Sequence, residues 1–322
     1  MAFSKDVLTL DCAATYRKLS DNLVRQMRDK LKKSGVVIGI SGGIDSTLCA
    51  ALCAKSLGPQ RVLGVMMPEQ DSSPESRLLA EELAATFGFE TVVEEITGGL
   101  AGMGCYERRD EAIKQVFPDF QPTWKSKITI GNRILDSNAL NFFNLTIEDD
   151  HGRVSTKRMP LSAYLQVVAA SNLKQRLRMT TLYYHAERRN WAVIGTGNKD
   201  EHMQGFFVKY GDGGADVKPI AHLYKVQVYQ LAAYLGVPKS IMERTPTTDT
   251  YSSEVTQEEF FFGLDFDTMD LIWWAMEHDV PASEVAPVLN FTEEQVRRAM
   301  TGIQRKIVAT EYLRMKPLEI DG

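Results

Sequence analysis

Five consecutive apolar residues, Val36-Val37-Ile38-Gly39-Ile40, stop abruptly at Ser41-Gly42-Gly43, and a helical pattern follows within a few residues. A run that is apolar on both faces suits a central strand of a parallel sheet, which helices cover on each side. The turn at its C-terminal end is nearly free of side chains. Backbone N–H groups there can close on an anion, and the N-terminus of the following helix adds partial positive charge. Asp45 would repel bare phosphate, but it suits a Mg²⁺ that bridges phosphates, because this ion takes carboxylate, water and phosphate oxygens. The turn lacks the Gly-Lys-Ser/Thr of a Walker loop, which disfavours γ-phosphoryl transfer by that arrangement. A tight βα turn capped by Ser or Asp is the plainer reading, and a lone Ser-Gly-Gly would deserve it. Ser-Gly-Gly-x-Asp-Ser directly after a strand favours a nucleotide site.

The surrounding pattern extends this unit. Leu19, Leu23, Met27 and Leu31 predict an amphipathic helix over 15–33. Helix over 50–57, a buried strand over 61–67, a helix from Pro74 to Phe87 with Ser73 as its cap, and a strand over 91–96 come next. Strand, helix, strand, helix, strand predicts an α/β fold with a doubly wound parallel sheet. From Gly98 the pattern loosens over a stretch too long for an ordinary crossover. Within it, 141–147, the turn-prone 149–152 and 153–156 predict an inserted β-hairpin. A helix from Leu161 to about Ala186, a strand over 191–195 and a helix through Leu223 to Leu235 restore the α/β pattern. Residues from Asp265 on read as helical, with a capping box at Thr292 and Gln295. The expected organisation is one domain over 1–322, with an insert over 98–160 and a helical tail over 257–322.

Composition narrows the function classes. The 322 residues carry 37 Lys plus Arg against 42 Asp plus Glu, a net charge of −5, which disfavours a broad nucleic-acid or acidic-membrane surface. No window reaches the ~20 apolar residues that span a bilayer. Cys12, Cys49, Cys53 and Cys105 form no CxxC pair, and Cys49 and Cys53 read as buried core thiols. A cytoplasmic protein with no nucleic-acid or membrane partner is expected. His185, His202, His222 and His278 lack metal-ligand spacing, and only His202, beside Glu201, falls near the candidate chemistry.

Further motifs bear charge or glycine. Lys174 and Arg178 straddle Arg176 on a helix, and guanidinium forks suit pyrophosphate or carboxylate oxygens; a solvated basic face is the bland alternative. Gly211, Gly213 and Gly214 lie between Lys209, Asp212 and Asp216, a glycine density that suggests close approach to a ligand. Lys225 in the first turn of a helix works against the helix dipole, which mildly favours a functional reason.

The loop Ser41-Gly42-Gly43-Ile44-Asp45-Ser46 resembles the pyrophosphate loop of the N-type ATP pyrophosphatases, which cleave ATP between the α and β phosphates. Four further stretches occur in the order and spacing of the NAD synthetase family. They are 171–179, Gly195-Thr196 with Glu201, Gly205-Phe206-Phe207-Val208-Lys209-Tyr210-Gly211-Asp212-Gly213-Gly214-Ala215-Asp216 with Leu223-Tyr224-Lys225, and Pro246-Thr247-Thr248-Asp249. The resemblance runs from about Gly35 to Asp249 and continues weakly to Met315. It implies an adenine nucleotide alpha hydrolase-like fold and an ammonia-dependent NAD synthetase: ATP-dependent amidation of deamido-NAD through an adenylated carboxylate, with release of AMP and pyrophosphate. By the same resemblance Gly39, Ile40, Ser41, Gly42, Gly43, Ile44, Asp45, Ser46, Thr196, Lys225 and Thr247 bind ATP. Arg176, Lys209 and Asp216 bind deamido-NAD, Asp45 and Glu201 hold Mg²⁺, and Asp45 and Lys225 are the catalytic candidates. A homodimer is implied. About thirty-five residues precede the loop, fewer than the ~100 of an added amidase domain, so ammonia is expected free or from a separate glutamine amidotransferase. Where family members carry a His-Lys pair after Thr-Glu, this chain has Tyr312-Leu313-Arg314. Another amide ligase or tRNA-modifying enzyme of the superfamily, or a noncatalytic nucleotide sensor, is the alternative. Net acidity counts against the tRNA version, and the joint presence of Asp45, Glu201, Arg176 and Lys225 against the sensor.

Overall fold

Strand β1 (Val36–Gly39) pairs in parallel with β2 (Val62–Met66) on one side and β7 (Ala192–Ile194) on the other, and β3 (Glu90–Val93) extends the sheet beyond β2. The computed structural model describes residues 3–130, 143–247, 251–253 and 255–320. Among these the sheet order is β3-β2-β1-β7. The chain winds outward from β1 through β2 to β3, then returns to the opposite side of β1. This reversal opens a crevice beyond the C-terminal ends of β1 and β7, where α/β sheets bind ligands.

Both faces of the sheet are covered, as the doubly apolar strands predict. Val36, Ile38 and Ile40 pack against α1 (Cys12–Arg25), α2 (Ile44–Leu57), α3 (Pro74–Phe87) and α8 (Lys225–Leu235). Val37, Leu63, Val65 and Val193 pack on the other face against Met179, Leu182 and Ala186 of α6 (Leu161–Arg189). Strand alternation therefore splits a single run between two cores. Cys49 and Cys53 are buried free thiols in the first of them, as expected, and burial pushes Cys53 up to about 12. Gln26–Leu31 continues the N-terminal helix as a π-helix that ends at Lys32, φ 54°.

The insert corrects the hairpin expectation. After α4 (Thr97–Gly102) and α5 (Cys105–Lys114), three antiparallel strands, β4 (Lys125–Ile130), β5 (Phe143–Glu148) and β6 (Val154–Arg158), form a sheet in the order β4-β5-β6. The hairpin is present as β5 and β6; β4 has no counterpart in the sequence reading, because its buried positions are a serine and one isoleucine, Ser126 and Ile128. Asn141 and Phe142 of the expected strand lie outside the described residues. Phe120, Ile128 and Leu145 form a core with Tyr251 and Val255, and strand β4 bonds the same segment: Ser126 N–H donates to Ser252 Oγ at 2.9 Å and Ser253 N–H to the Ser126 carbonyl at 3.2 Å.

The remaining helices are α7 (Lys199–Gln204), α9 (Lys239–Met242), α10 (Phe266–Glu277), α11 (Ala282–Leu289), α12 (Glu293–Ala309) and α13 (Glu311–Arg314). The capping box at Thr292 and Gln295 forms at the start of α12. Trp273 is buried among α10, α11 and α12, while Trp274 stacks on His278 with ring centroids 3.7 Å apart. Among the described residues no helix is long and apolar enough to cross a membrane.

Candidate active site

The crevice at the strand reversal is a cleft of about 770 Å³, a size that takes a nucleotide or similar small molecule. Its floor is the turn after β1. Ser46 Oγ donates to the Gly43 carbonyl at 3.0 Å and lies 3.3 Å from Ser41 Oγ. Gly43 N–H donates to Ser41 Oγ at 3.3 Å, so the serines hold the turn open from inside. Gly42 takes φ +73°, where a Cβ would stand 2.8 Å from the Ser76 carbonyl oxygen. It faces α3 rather than the cleft, whereas Gly39, Ile40, Ser41, Gly43, Ile44, Asp45 and Ser46 all line it.

Asp45, in the first turn of α2, is held on both oxygens. Lys225 Nζ donates to Oδ2, and Asn198 Nδ2 donates to Oδ1 at 2.8 Å. Asn198 also caps α7 in a reciprocal box: its Oδ1 accepts from Glu201 N–H at 3.0 Å, and Glu201 Oε2 accepts from Asn198 N–H at 3.2 Å. Gln257 Nε2 donates to Glu201 Oε1 at 3.2 Å. One amide side chain thus sets two acids side by side. Burial first, and then the charge of Asp45, raises the Glu201 carboxyl above its ordinary value. Burial opposes the Lys225 ammonium, but Asp45 and Glu201 outweigh it and hold that group above the usual lysine value. Two converging carboxylates at the foot of an anion-binding turn fit Mg²⁺, which takes one or two carboxylates and leaves its other positions to water and phosphate.

Thr196 and Thr247 line the same cleft, as do Arg176 and Lys209. Arg176 Nε donates to the Lys209 carbonyl at 3.3 Å, and Lys209 Nζ donates to the Tyr312 carbonyl at 3.0 Å. Thr248 and Asp249 lie outside the described residues. The glycine-rich loop is compact: a Cβ on Gly213 would come within 2.3 Å of the Phe207 ring.

Two expected ligand groups are placed elsewhere. Asp216 does not line the cleft; its Oδ2 accepts from Val193 N–H at 2.7 Å and its Oδ1 from Tyr183 Oη at 3.2 Å. The carboxylate completes the hydrogen bonding of β7, a need that sequence spacing does not reveal. Lys174, expected as a local cation, is fully buried and pairs with Glu69 at 2.9 Å and Asp71 at 2.7 Å. Arg109 joins it through Asp71 and Asp110. These pairs lie behind the loop that carries Met67, Pro68, Ser72 and Ser73 into the cleft wall.

A profile of the NAD synthase family matches residues 16–116 and 116–317. The chain belongs to the NAD synthase family. An NH(3)-dependent NAD(+) synthetase of Rhizobium meliloti (strain 1021) is 49% identical over 317 residues, covering 98% of this chain and 94% of that protein. One of Thermotoga maritima is 30% identical over 272 residues, 84% of this chain and 90% of its own. Among solved structures, the NH3-dependent NAD synthetase from Campylobacter jejuni in complex with the nitrate ion has a TM-score of 0.63 at 22% identity, and covers 97% of this chain and 100% of that chain. That likeness is one of fold.

Within this NAD synthase, several cleft residues escape the sequence reading. Arg244 Nη1 donates to the Ser41 carbonyl at 3.3 Å and Nη2 to Ser76 Oγ at 2.9 Å, so a guanidinium braces the loop from outside. Arg77, Lys218 and Gln257 line the wall, and Asn198 lies buried behind it. Only Asn198 had a readable signal, since Asn-x-x-Glu before a helix is a capping pattern. Arg314 binds the carbonyls of His202, Met203 and Ile307 at 3.2, 2.7 and 2.8 Å. The guanidinium ties α13 to α7, and Tyr312 and Leu313 beside it line the cleft.

Proposed function

We propose that this cleft amidates the nicotinate carboxylate of deamido-NAD with ammonia, at the expense of ATP. The observation that carries the reading is that a single cleft gathers the Ser41–Ser46 turn, Asp45, Glu201 and Lys225 together with Arg176 and Lys209. On this reading ATP lies with its phosphates on the turn and its remaining contacts at Thr196 and Thr247. Arg176 and Lys209 meet the anionic groups of the dinucleotide. The chain is a carbon–nitrogen ligase of NAD biosynthesis.

The carboxylate oxygen attacks the α-phosphorus of ATP, and the bond to the bridging oxygen breaks to release pyrophosphate. Ammonia then attacks the acyl carbon, loses a proton to solvent, and expels AMP. The protein's part is placement and charge neutralisation. Lys225, fully buried, faces the negative charge that grows on departing pyrophosphate. The N–H groups of the turn receive phosphate oxygens as they would any anion. Asp45 and Glu201 would hold Mg²⁺, which when bound neutralises phosphate charge and makes pyrophosphate a better leaving group. No covalent nucleophile takes part. We further propose that the enzyme works as a homodimer; sedimentation at the mass of one chain would exclude this.

Purified protein with ATP, Mg²⁺, ammonium and deamido-NAD should yield AMP, pyrophosphate and NAD in equal amounts. AMP formation only with another carboxylic acid, or with tRNA, would overturn the assignment. No AMP with any acceptor would reduce the cleft to a nucleotide sensor.

A further inference from the structure

Lys225 occupies an unfavourable place for a buried cation. It is the first residue of α8 and fully buried, at the end of a helix where the backbone dipoles oppose positive charge. Asp45 answers its ammonium from the cleft side. The backbone beneath it is held from the other side, by two acids that the chemistry above does not use. Asp200 Oδ2 accepts the N–H of Lys225 at 2.9 Å, and Asp270 Oδ2 accepts the N–H of Val226 at 2.9 Å. Two of the four unpaired N–H groups that every helix start leaves are thus taken by carboxyl groups from two different helices, α7 and α10.

Both acids are 0% exposed, and the Oδ1 of each has no hydrogen-bond partner among the described residues. A pair of buried acids is costly unless each oxygen is satisfied. Here the Oδ2 of each acid meets a helix N–H group.

We infer that Asp200 and Asp270 are positioning residues for Lys225, clamping the first two N–H groups of α8 so that the lysine Cα has no freedom relative to the Ser41–Ser46 turn. Neither acid lines the cleft, so they act through the lysine and not on substrate. The inference rests on the role proposed above for Lys225. Lysine is a point charge on a flexible four-carbon stem, and a displacement of ~1 Å at a reacting group can cost ~10²-fold in rate. A fixed backbone, with Asp45 holding the far end, removes that slack.

The test compares Asp270→Asn with Asp270→Ala. Asparagine keeps an acceptor for Val226 N–H; alanine leaves that N–H unpaired. The expected result is a folded D270A with kcat below a tenth of wild type and KM for ATP within threefold, and a D270N with more than a third of wild-type kcat. Any other kinetic result overturns the inference, including a D270A that is recovered only unfolded while D270N is normal, which would make the pair a fold element alone. A second readout does not depend on turnover: acylation of Lys225 by acetic anhydride, followed by peptide mass spectrometry, should be slow in wild type and D270N and fast in D270A. Equal rates in all three would overturn the clamp. A wild type that makes no NAD would sink the proposed function, while the acylation rates still decide the pair.

Discussion

Asp45 illustrates how much one side chain carries in this cleft. Its two oxygens are taken by Lys225 and Asn198, so replacing it with asparagine changes the charge of the site while keeping its shape. Asp45→Asn should leave the circular dichroism spectrum unchanged and lower kcat by ~10² or more, the scale at which a preorganised electrostatic partner acts. Near-normal AMP formation by that variant would remove Asp45 from the chemistry. At this scale the sequence was informative where a residue type is unusual for its place: an acid in an anion-binding turn, a lysine at a helix start. It was uninformative where the partner is remote. Lys174 and Arg176 stand two residues apart and look alike, yet the first is buried against Glu69 and Asp71 while the second lines the cleft. The fate of Lys174 is set by acids some hundred positions earlier, beyond any local pattern.

Elements were legible wherever periodicity fixed a face. The run Val36–Ile40 is the central strand because each side of it meets helices, and the end of α3 at Phe87 follows from Gly88 at φ 75°. The π-turn Glu258–Phe262 was not legible, since no local signal marks it; it is completed by Lys306 on α12, whose Nζ donates to the carbonyls of Phe261 and Phe262 at 2.5 and 3.0 Å. Burial pushes the Lys306 amine down to about 7, which gives the element a pH signature. Above pH ~10.5 the amine is neutral in folded and unfolded chains alike. As the pH falls from there toward about 7 the unfolded chain takes up the proton first, so stability is lost over that window. Thermal melts should therefore show wild type gaining stability relative to Lys306→Met between pH 7 and pH 9. A difference that stays flat or reverses across that range would show that the ammonium is retained in the folded protein.

At the scale of the whole molecule, the insert was the least legible part, and its place in the structure gives it a use. Sequence marked it only as an interruption of the α/β pattern that carries a hairpin. It could not show that β4 bonds residues 252 and 253, or that Ile128 and Phe120 share a core with Tyr251 and Val255. Tyr251, Gln257, Phe260 and Phe261 line the cleft, so the insert sheet buttresses a cleft wall from behind. If the fold is one cooperative domain, a cavity in the insert core must reach the site through that wall. Ile128→Ala removes a fully buried side chain outside the cleft, at a cost of ~2–5 kcal/mol in stability. With a single unfolding transition retained, KM for ATP or deamido-NAD should rise at least threefold while kcat changes less, because slack in a binding wall weakens ground-state and transition-state contacts together. Unchanged KM values alongside the expected loss of stability would make the insert a decoration. Two separate transitions would make it a domain of its own.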